Sequence, residues 1–168
     1  EMRYWVDSEF EVKRDGTMVL PVSIALVCSD GREFYAEVAG AHHWVESAWL
    51  IEHVLPALSG GDVAMIPFEI GVAINRFVGH DPTPEFWGWC SGFDYVVLSG
   101  LMGGMDAWPL KWPHYLRDLQ QVADTTGHDL DAMMTAPPRH HALDDAREIK
   151  RLWGHVYNEP QTNALSGL

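Results

Sequence analysis

Two features meet in the stretch Arg3-Tyr4-Trp5-Val6-Asp7-Ser8-Glu9: a run of β-prone residues and, at its end, a pair of carboxylates. The aromatic and β-branched side chains predict a first strand over residues 3–7. Asp7 and Glu9 lie two positions apart at the end of that strand, so extended backbone sends both side chains to the same face of the sheet. This spacing predicts an acidic edge that is able to bind metal ions.

Two more strands are predicted after the first. Residues 19–28 are rich in Val, Ile and Leu, and residues 33–38 form a shorter β-prone run. Turn sequences at residues 14–16 and 29–31 separate the runs, so the three strands are expected to form an antiparallel meander. Pro21 cannot donate a hydrogen bond to a neighbouring strand, which predicts a bulge or a strand start beside it.

The rest of the chain alternates between helical patterns and one short strand. The strand is predicted over residues 86–90, where it would be buried and parallel to the first strand. Helices are predicted over residues 44–55, 68–78, 94–102, 114–126 and 141–156. Together these elements predict an α/β (α+β) layer fold with a mixed sheet. A chain of 168 residues is expected to form a single domain, here over residues 2–168.

Composition indicates a globular protein with a large negative charge. Hydrophobic residues make up 47% of the chain, and 24 acidic against 11 basic residues give a formal net charge of −13. Such a charge argues against a protein that holds nucleic acid through a broad basic surface. The objection weakens where several carboxylates bind divalent cations, because the ions then supply positive charge where a phosphate binds.

Cysteine content and hydropathy exclude several other classes of protein. Cys28 and Cys90 are far apart in sequence, which argues against a disulfide framework or a cysteine-based zinc site and predicts buried thiols. No apolar run approaches the roughly 20 residues of a membrane span, and no basic stretch followed by a hydrophobic segment begins the sequence. The expected location is therefore the cytoplasm, with no membrane partner.

Two further acidic positions are predicted to join Asp7 and Glu9. Asp94 begins the helix after the short buried strand, and Asp145 lies inside the last predicted helix, five residues after His140. If the first strand and the short strand pair in parallel, their carboxyl ends meet at one edge of the sheet. That arrangement would bring Asp7, Glu9 and Asp94 together, and the last helix would add Asp145.

Each of these residues also has an ordinary structural explanation. An aspartate such as Asp94 at the start of a helix often caps free backbone N–H groups. Asp144 and Asp145 near the start of the last helix favour its dipole without any catalysis. His140 and His141 suit a solvated loop. The case for a site rests on the joint order and context of these residues.

Three segments carry a family resemblance: Val-Asp-Ser-Glu-Phe at residues 6–10, Trp-Gly-Trp-Cys-Ser-Gly-Phe-Asp at residues 87–94 and His-His-Ala-Leu-Asp-Asp-Ala-Arg at residues 140–147. They resemble the three exonuclease motifs of the DEDDh (DnaQ-like) nucleases, above all a small branch with mycobacterial and phage members. The resemblance implies a ribonuclease H-like fold with a mixed sheet of five strands or fewer, flanked by helices. The chain departs from many members of the wider family, which carry His-Asn where it has Trp89-Cys90.

The resemblance also assigns roles to residues. It makes Asp7, Glu9, Asp94 and Asp145 the carboxylates that bind two metal ions, Mg²⁺ or Mn²⁺, and it makes His140 the general base. Two other registers stay open, namely His141 with Asp145 and His140 with Asp144.

Substrate contacts are expected beside the first motif. Ser8, between the two carboxylates, and Phe10, beside Glu9, are the candidates. A base stacked on an aromatic ring contributes about 1 to 3 kcal/mol, and a core position is the equally weighted alternative for Phe10. His42-His43 is expected to lie on the surface. Most of six tryptophans are expected in the core or an interface, namely Trp44, Trp49, Trp87, Trp89, Trp108 and Trp112.

The implied activity is metal-dependent hydrolysis of phosphodiester bonds from the 3' end of a nucleic acid, with single-stranded RNA as the expected substrate and a homodimer as the expected assembly. Alternatives are a DNA-preferring exonuclease, a nucleotide or dinucleotide hydrolase at the same site, and a non-catalytic ribonuclease H-like module that binds nucleic acid. RNA preference requires contacts to the 2'-hydroxyl group, and the sequence does not identify them.

Overall fold

The computed structural model describes residues 2–79 and 81–158. The strands within those residues are β1 (Arg3–Val12), β2 (Val19–Cys28), β3 (Glu33–Val38), β4 (Ala64–Met65), β5 (Glu85–Gly88) and β6 (Arg117–Asp118). They form one mixed sheet in the order β4-β3-β2-β1-β5-β6. The pairs β1–β2 and β2–β3 are antiparallel, whereas β3–β4, β1–β5 and β5–β6 are parallel. The long strand β1 therefore lies near the centre of the sheet.

Helices cover both faces of this sheet. The α-helices of the described chain are α1 (Ala48–His53), α2 (Pro67–Val78), α3 (Gly92–Leu101), α4 (Leu119–Thr126), α5 (Leu130–Met133) and α6 (Ala142–Asn158). Single turns of 3₁₀ helix occur at Ala41–His43, Leu55–Ala57 and Gly61–Val63. None of these helices is both long and apolar enough to cross a bilayer.

Alternation along β1 divides the core into two layers. Tyr4 and Val6 face α2 and α3, whereas Trp5 faces α4 and α6. The buried partners include Ile70, Ile74, Val97 and Leu98 in the first layer, and Leu119, Leu130, Ile149 and Leu152 in the second. Because successive side chains leave opposite faces, the residues that follow Val6 must also alternate between the α6 side and the α3 side.

Helices α2 and α3 pack at unusually short range. Gly71 of α2 lies directly against the backbone of α3, and a Cβ atom at Gly71 would overlap the carbonyl oxygen of Leu101. Glycine at this position therefore sets the distance between the two helices that cover this face of the sheet.

Most of the long elements agree with the predictions from sequence. The bounds of β2 and β3 are as expected, β5 runs parallel to β1, and α2, α3 and α6 begin and end within two residues of the predicted positions. The irregularity expected beside Pro21 is present as well. Glu9 pairs with Ser23 and Phe10 with Pro21, which leaves Val22 as the extra residue of a bulge.

Several predicted details were wrong. Strand β1 continues to Val12 because β2 pairs with it over its whole length, so Asp7 and Glu9 lie inside the strand and not at its end. The described sheet has six strands, one more than the predicted maximum, because β4 and β6 are two-residue strands with no detectable periodicity.

Two predicted helices are shorter than expected. The helix predicted over residues 44–55 is reduced to α1, because the side chain of Ser47 caps the backbone N–H of Leu50 and Pro56 lies in a 3₁₀ turn. The helix predicted over residues 114–126 begins only at Leu119, because Arg117 and Asp118 pair with β5 instead.

Burial corrects two other expectations. Cys28 is buried, but Cys90 is exposed, so the prediction of two buried thiols was wrong for Cys90. Trp87, Trp108 and Trp112 are buried as expected. Trp49 instead is 47% exposed. His42 and His43 lie on the surface, as predicted.

Candidate active site

The acidic pair of β1 lies beyond the point where β1 and β5 pair. Their parallel ladder ends at Trp5 and Trp87, and Asp7 and Glu9 follow on the face that α6 covers. The two-residue spacing keeps both side chains on that face, as expected from strand geometry. The pair therefore stands at the carboxyl edge of the central parallel strands, where open α/β sheets bind their ligands.

Asp94 reaches the same edge from the opposite layer. It lies in the first turn of α3, where Ser91 occupies the N-cap position, so Asp94 is not the capping residue. Asp94 is 6% exposed, and its Oδ1 atom accepts a hydrogen bond of 2.6 Å from the hydroxyl group of Ser8. This bond ties α3 to the middle of β1 and fixes the Asp94 carboxyl group beside Asp7.

The turn before α3 is held from the edge of the sheet. The carboxylate of Asp118, which caps α4 through the N–H of Gln120, also accepts hydrogen bonds from the N–H groups of Cys90 (3.2 Å) and Ser91 (2.9 Å). Cys90 has a left-handed backbone with φ of 55°, which is uncommon for a residue other than glycine. Asp118 thus stabilises the sharp turn that carries Asp94.

The last helix adds an acid and a base. Asp145 lies in the first turn of α6, and its Oδ1 atom accepts a hydrogen bond of 3.4 Å from the N–H of Arg139. Burial raises the pKa of Asp145, and this hydrogen bond opposes the rise. His140 precedes α6 in a left-handed conformation with φ of 53°. One ligand atom each from Glu9, His140 and Asp145 lie within 4.8 Å of one another.

These side chains line a cavity of about 210 Å³. Asp7, Glu9, His140 and Asp145 provide its polar wall, and the remaining wall includes Trp89, Met134, Pro138 and Ile149. A polar cluster opposite an apolar surface suits a ligand that carries both a charged group and an aromatic group.

Crowding of the carboxylates changes their acidity. Burial raises the pKa of Asp7 well above its usual value, and repulsion from Asp94, Asp145 and Glu9 adds to the rise. Burial likewise raises the pKa of Glu9 to about 7, with further contributions from Asp145 and Asp94. Burial raises the pKa of Asp94 to about 6, although the hydrogen bond from Ser8 opposes this. The cluster therefore holds more negative charge than its surroundings stabilise.

Divalent cations fit this arrangement. Neighbouring carboxylates whose pKa values are raised by mutual repulsion gain stability when a cation binds between them. The set is rich in carboxylate oxygens, which are the ligands of Mg²⁺ and Mn²⁺, and it lacks thiolates. Asp7, Glu9, Asp94 and Asp145 are the residues that could hold such ions.

The two neighbouring histidines take different directions. His140 lines the cavity with the carboxylates. His141 instead packs against the sheet, where its ring stacks on Tyr35 at a centroid distance of 4.6 Å. The Nδ1 atom of His141 is buried and has no hydrogen-bond partner among the described residues. The geometry therefore places His140, and not His141, beside Glu9 and Asp145.

The two candidates for substrate contact differ in their surroundings. Ser8 lines the cavity, although it is 6% exposed and its hydroxyl group donates to Asp94, and its contact with substrate stays a prediction. Phe10 is half-buried and stacks on the exposed ring of Phe93 at 4.9 Å. A second cavity of about 340 Å³, which adjoins the first at Glu9, is lined by Phe10 and Trp49.

Sequence reasoning missed two residues that line the cavity. Trp89 donates from its indole N–H to the side chain of Gln120 at 2.7 Å, which fixes its ring. Glu148 lies one turn after Asp145 on α6, and its carboxylate binds Arg151 at 2.7 Å. The three-residue spacing from Asp145 is the signal that would have placed Glu148 on the same face of the helix.

Comparisons with known proteins agree with the fold and identify a family. A protein of Mycobacterium tuberculosis named 3'-5' exoribonuclease, known from strains CDC 1551 / Oshkosh and H37Rv, is 34% identical to this chain over 158 residues. The matched region covers 89% of this chain and 90% of the mycobacterial protein. No protein-family profile matches the chain.

A solved structure shares the fold. Exonuclease I from Methylocaldum szegediense superposes with a TM-score of 0.67 and 16% sequence identity. The match covers 94% of this chain and 41% of the exonuclease I chain, so this chain spans less than half of that protein. At this identity the likeness bears on the fold alone, which is ribonuclease H-like. With 34% identity over nearly the full length of the mycobacterial relative, the chain belongs to the DnaQ-like family of 3'-5' exonucleases.

Proposed function

We propose that this 3'-5' exonuclease acts on RNA, and that it does so by a metal-dependent mechanism with a histidine base. The observations that support the mechanism are a cavity lined by Asp7, Glu9, Asp145 and His140, and a buried carboxyl group at Asp94 that is close enough to Asp7 to raise its pKa. The preference for RNA is supported by the name of the mycobacterial relative, a 3'-5' exoribonuclease.

The acidic residues would bind the cations from different sides of the site. Asp7 is close to the other three acids, since Asp94, Asp145 and Glu9 all raise its pKa, and this proximity suits a residue that contacts both ions. Asp94 approaches from the α3 side, and Glu9 and Asp145 from the side of His140. When bound, a pair of divalent cations neutralises charge on the phosphate and stabilises the attacking and leaving oxygens.

His140 accepts the proton of the attacking water. An imidazole is the side chain best suited to proton transfer close to neutral pH. As the water oxygen bonds to phosphorus, the bond from phosphorus to the 3'-oxygen breaks. The products are a nucleoside 5'-monophosphate and a chain shortened by one residue, whose new 3'-oxygen takes up a proton.

The apolar residues of the cavity limit access by bulk water and give the terminal nucleoside a surface. Trp89, held by Gln120, and Ile149 face the carboxylates across the cavity. Phe10 lines the adjoining cavity and stacks on Phe93, whose exposed ring could stack against a base.

The direct test offers 3'-labelled and 5'-labelled single-stranded RNA and DNA of equal sequence to the protein with Mn²⁺ or with EDTA. We expect stepwise loss of RNA from the 3' end that requires metal and that falls by at least about 10²-fold in Asp7→Asn and His140→Ala. Asp106→Asn, at an exposed position, is the matched control. Equal rates on DNA would overturn the RNA preference alone. Full activity in EDTA or in the Asp7 variant would overturn the metal mechanism.

A further inference from the structure

An exposed tryptophan lies against the proposed base. The ring of Trp49, on α1, meets the imidazole of His140 edge to face, with 4.6 Å between centroids and an interplanar angle of 77°. His53, one helical turn further along α1, lies 5.2 Å from Trp49 and 6.2 Å from His140. We call Trp49, His53 and His140 the ring cluster. It brings α1, which contributes none of the carboxylates, into contact with the catalytic cavity.

His140 depends on this cluster for its orientation. Its imidazole makes no hydrogen bond to any part of the described chain, whereas histidine bases are commonly oriented by a hydrogen bond to the second ring nitrogen. His140 follows the irregular segment at Pro137-Pro138, and its backbone has the left-handed φ of 53°, which costs a non-glycine residue free energy. The carboxylates of Glu9 and Asp145 lie close to the imidazole but do not hydrogen-bond to it, so ring packing is the direct contact that orients it.

The support behind Trp49 is rigid. Leu50 and Val54 are buried in an apolar cluster with Val22 of β2, so α1 is packed onto the sheet. The N–H of Glu46, just before α1, donates to the buried carboxylate of Glu11 on β1 at 2.8 Å. The position of the Trp49 backbone is thus set by the same strand that carries Asp7 and Glu9.

We propose that Trp49 is a positioning residue for His140: its ring, supported by His53, holds the imidazole toward the water site beside Glu9 and Asp145. This inference rests on the proposed role of His140 as general base. The exposure of Trp49, 47% of its surface, is then a consequence of its function, because the ring must stand at the cavity mouth to contact His140. A displacement of a catalytic group by about 1 Å can lower a rate by about 10²-fold.

Steady-state kinetics on a single-stranded RNA at saturating Mn²⁺ distinguish this positioning role from substrate binding and from a purely structural role. We expect Trp49→Ala to lower kcat by about ten-fold, a part of what a general base contributes, with KM changed by less than about two-fold. Trp49→Phe keeps a ring that can meet the imidazole and should restore most of kcat. Phe68→Ala removes an aromatic side chain that is 75% exposed and does not line the cavity, and it should have no effect.

A double variant tests whether Trp49 acts through His140. If it does, Trp49→Ala adds no further loss to His140→Ala, because the effects of groups that act as one unit do not multiply. Circular dichroism and thermal unfolding confirm that each variant is folded, and Trp49→Phe serves if Trp49→Ala is not. A raised KM with unchanged kcat would show that Trp49 binds substrate, and a multiplicative loss in the double variant would show a merely structural role; either overturns the inference. Wild-type kcat in His140→Ala would instead overturn the proposed base, whatever Trp49→Ala does.

Discussion

In the absence of metal, the charged forms of the individual carboxyl groups in the site are unfavourable. The pKa of Glu9 is raised to about 7 and that of Asp94 to about 6, and the pKa of Asp7 is raised well above its usual value, in each case chiefly by burial. The folded chain therefore binds more protons than the unfolded chain between about pH 4 and pH 7. The free energy of unfolding of the metal-free protein therefore falls as pH rises through this window.

Asp7→Asn removes one of these charges without changing the shape of the side chain. We expect it to raise the free energy of unfolding of the metal-free protein at pH 8, because the raised pKa of Asp7 means that its charged form destabilises the fold. The expected gain is about 0.5 to 2 kcal/mol, the usual range of a stabilising substitution. At pH 4 the difference should nearly vanish, because Asp7 is then protonated in the folded protein. Thermal or urea unfolding in EDTA measures the effect, with the exposed Asp106→Asn as control. A loss of stability at pH 8 would contradict the proposed repulsion.

The residues of the site differ in how far sequence alone could place them. The spacing of Asp7 and Glu9 is enough to put them on one face, because strands alternate strictly. Glu148 escaped notice because its relevance depends on which side of α6 faces the cavity. The bond from Ser8 to Asp94 joins residues 86 positions apart, and it appears only when β1 and α3 are packed together.

Among the elements, the contact between α2 and α3 gives a test of packing. Gly71→Ala should lower the free energy of unfolding by about 1 to 3 kcal/mol, because the added methyl group forces the helices apart. Gly100→Ala is the matched control: it lies in α3, and a Cβ atom there meets no atom within 4 Å. That change should raise the free energy of unfolding by up to about 1 kcal/mol through helix propensity. Chemical denaturation of both variants decides the matter, and equal stabilities would show that the helices adjust freely.

Most of the longer elements were predictable, with β1 as the exception, because its second half was not recognised as strand. The ten residues of β2 and the long helices α2 and α6 display their periodicity clearly. The pair Ala64–Met65 and the pair Arg117–Asp118 become strands only because a neighbouring strand offers hydrogen bonds, and two residues cannot show a period. For the same reason, the helix predicted over residues 114–126 starts late, because the residues just before it pair with β5.

The whole molecule is an acidic protein that acts on an acidic polymer. Most of its guanidinium groups are already paired with carboxylates, including those of Arg3, Arg32, Arg117, Arg147 and Arg151. With a net charge of −13, little of the surface attracts a phosphate backbone at long range. In the proposed mechanism, substrate capture then depends on the cations and on aromatic contacts.

Salt dependence measures this property. For single strands the logarithm of affinity falls with the logarithm of salt concentration with a slope of about −0.7 per neutralised phosphate. We expect kcat/KM at saturating Mn²⁺ to fall with a slope no steeper than about −1.5, equivalent to about two contacts. The slope is obtained from rates on one oligonucleotide at NaCl concentrations between about 50 and 200 mM. A slope steeper than about −3 would reveal a basic surface that the folded chain assembles and that charge counting overlooks.

The Asp118 carboxylate has a mechanical consequence. It belongs to the outermost strand on its side of the sheet, yet it grips the peptide groups that lead into α3. Edge strands normally unfold locally more easily than central ones. Here, local unfolding of β6 would also release the turn that leads to Asp94. The stability of the edge strand and the position of Asp94 in the active site therefore depend on the same carboxylate.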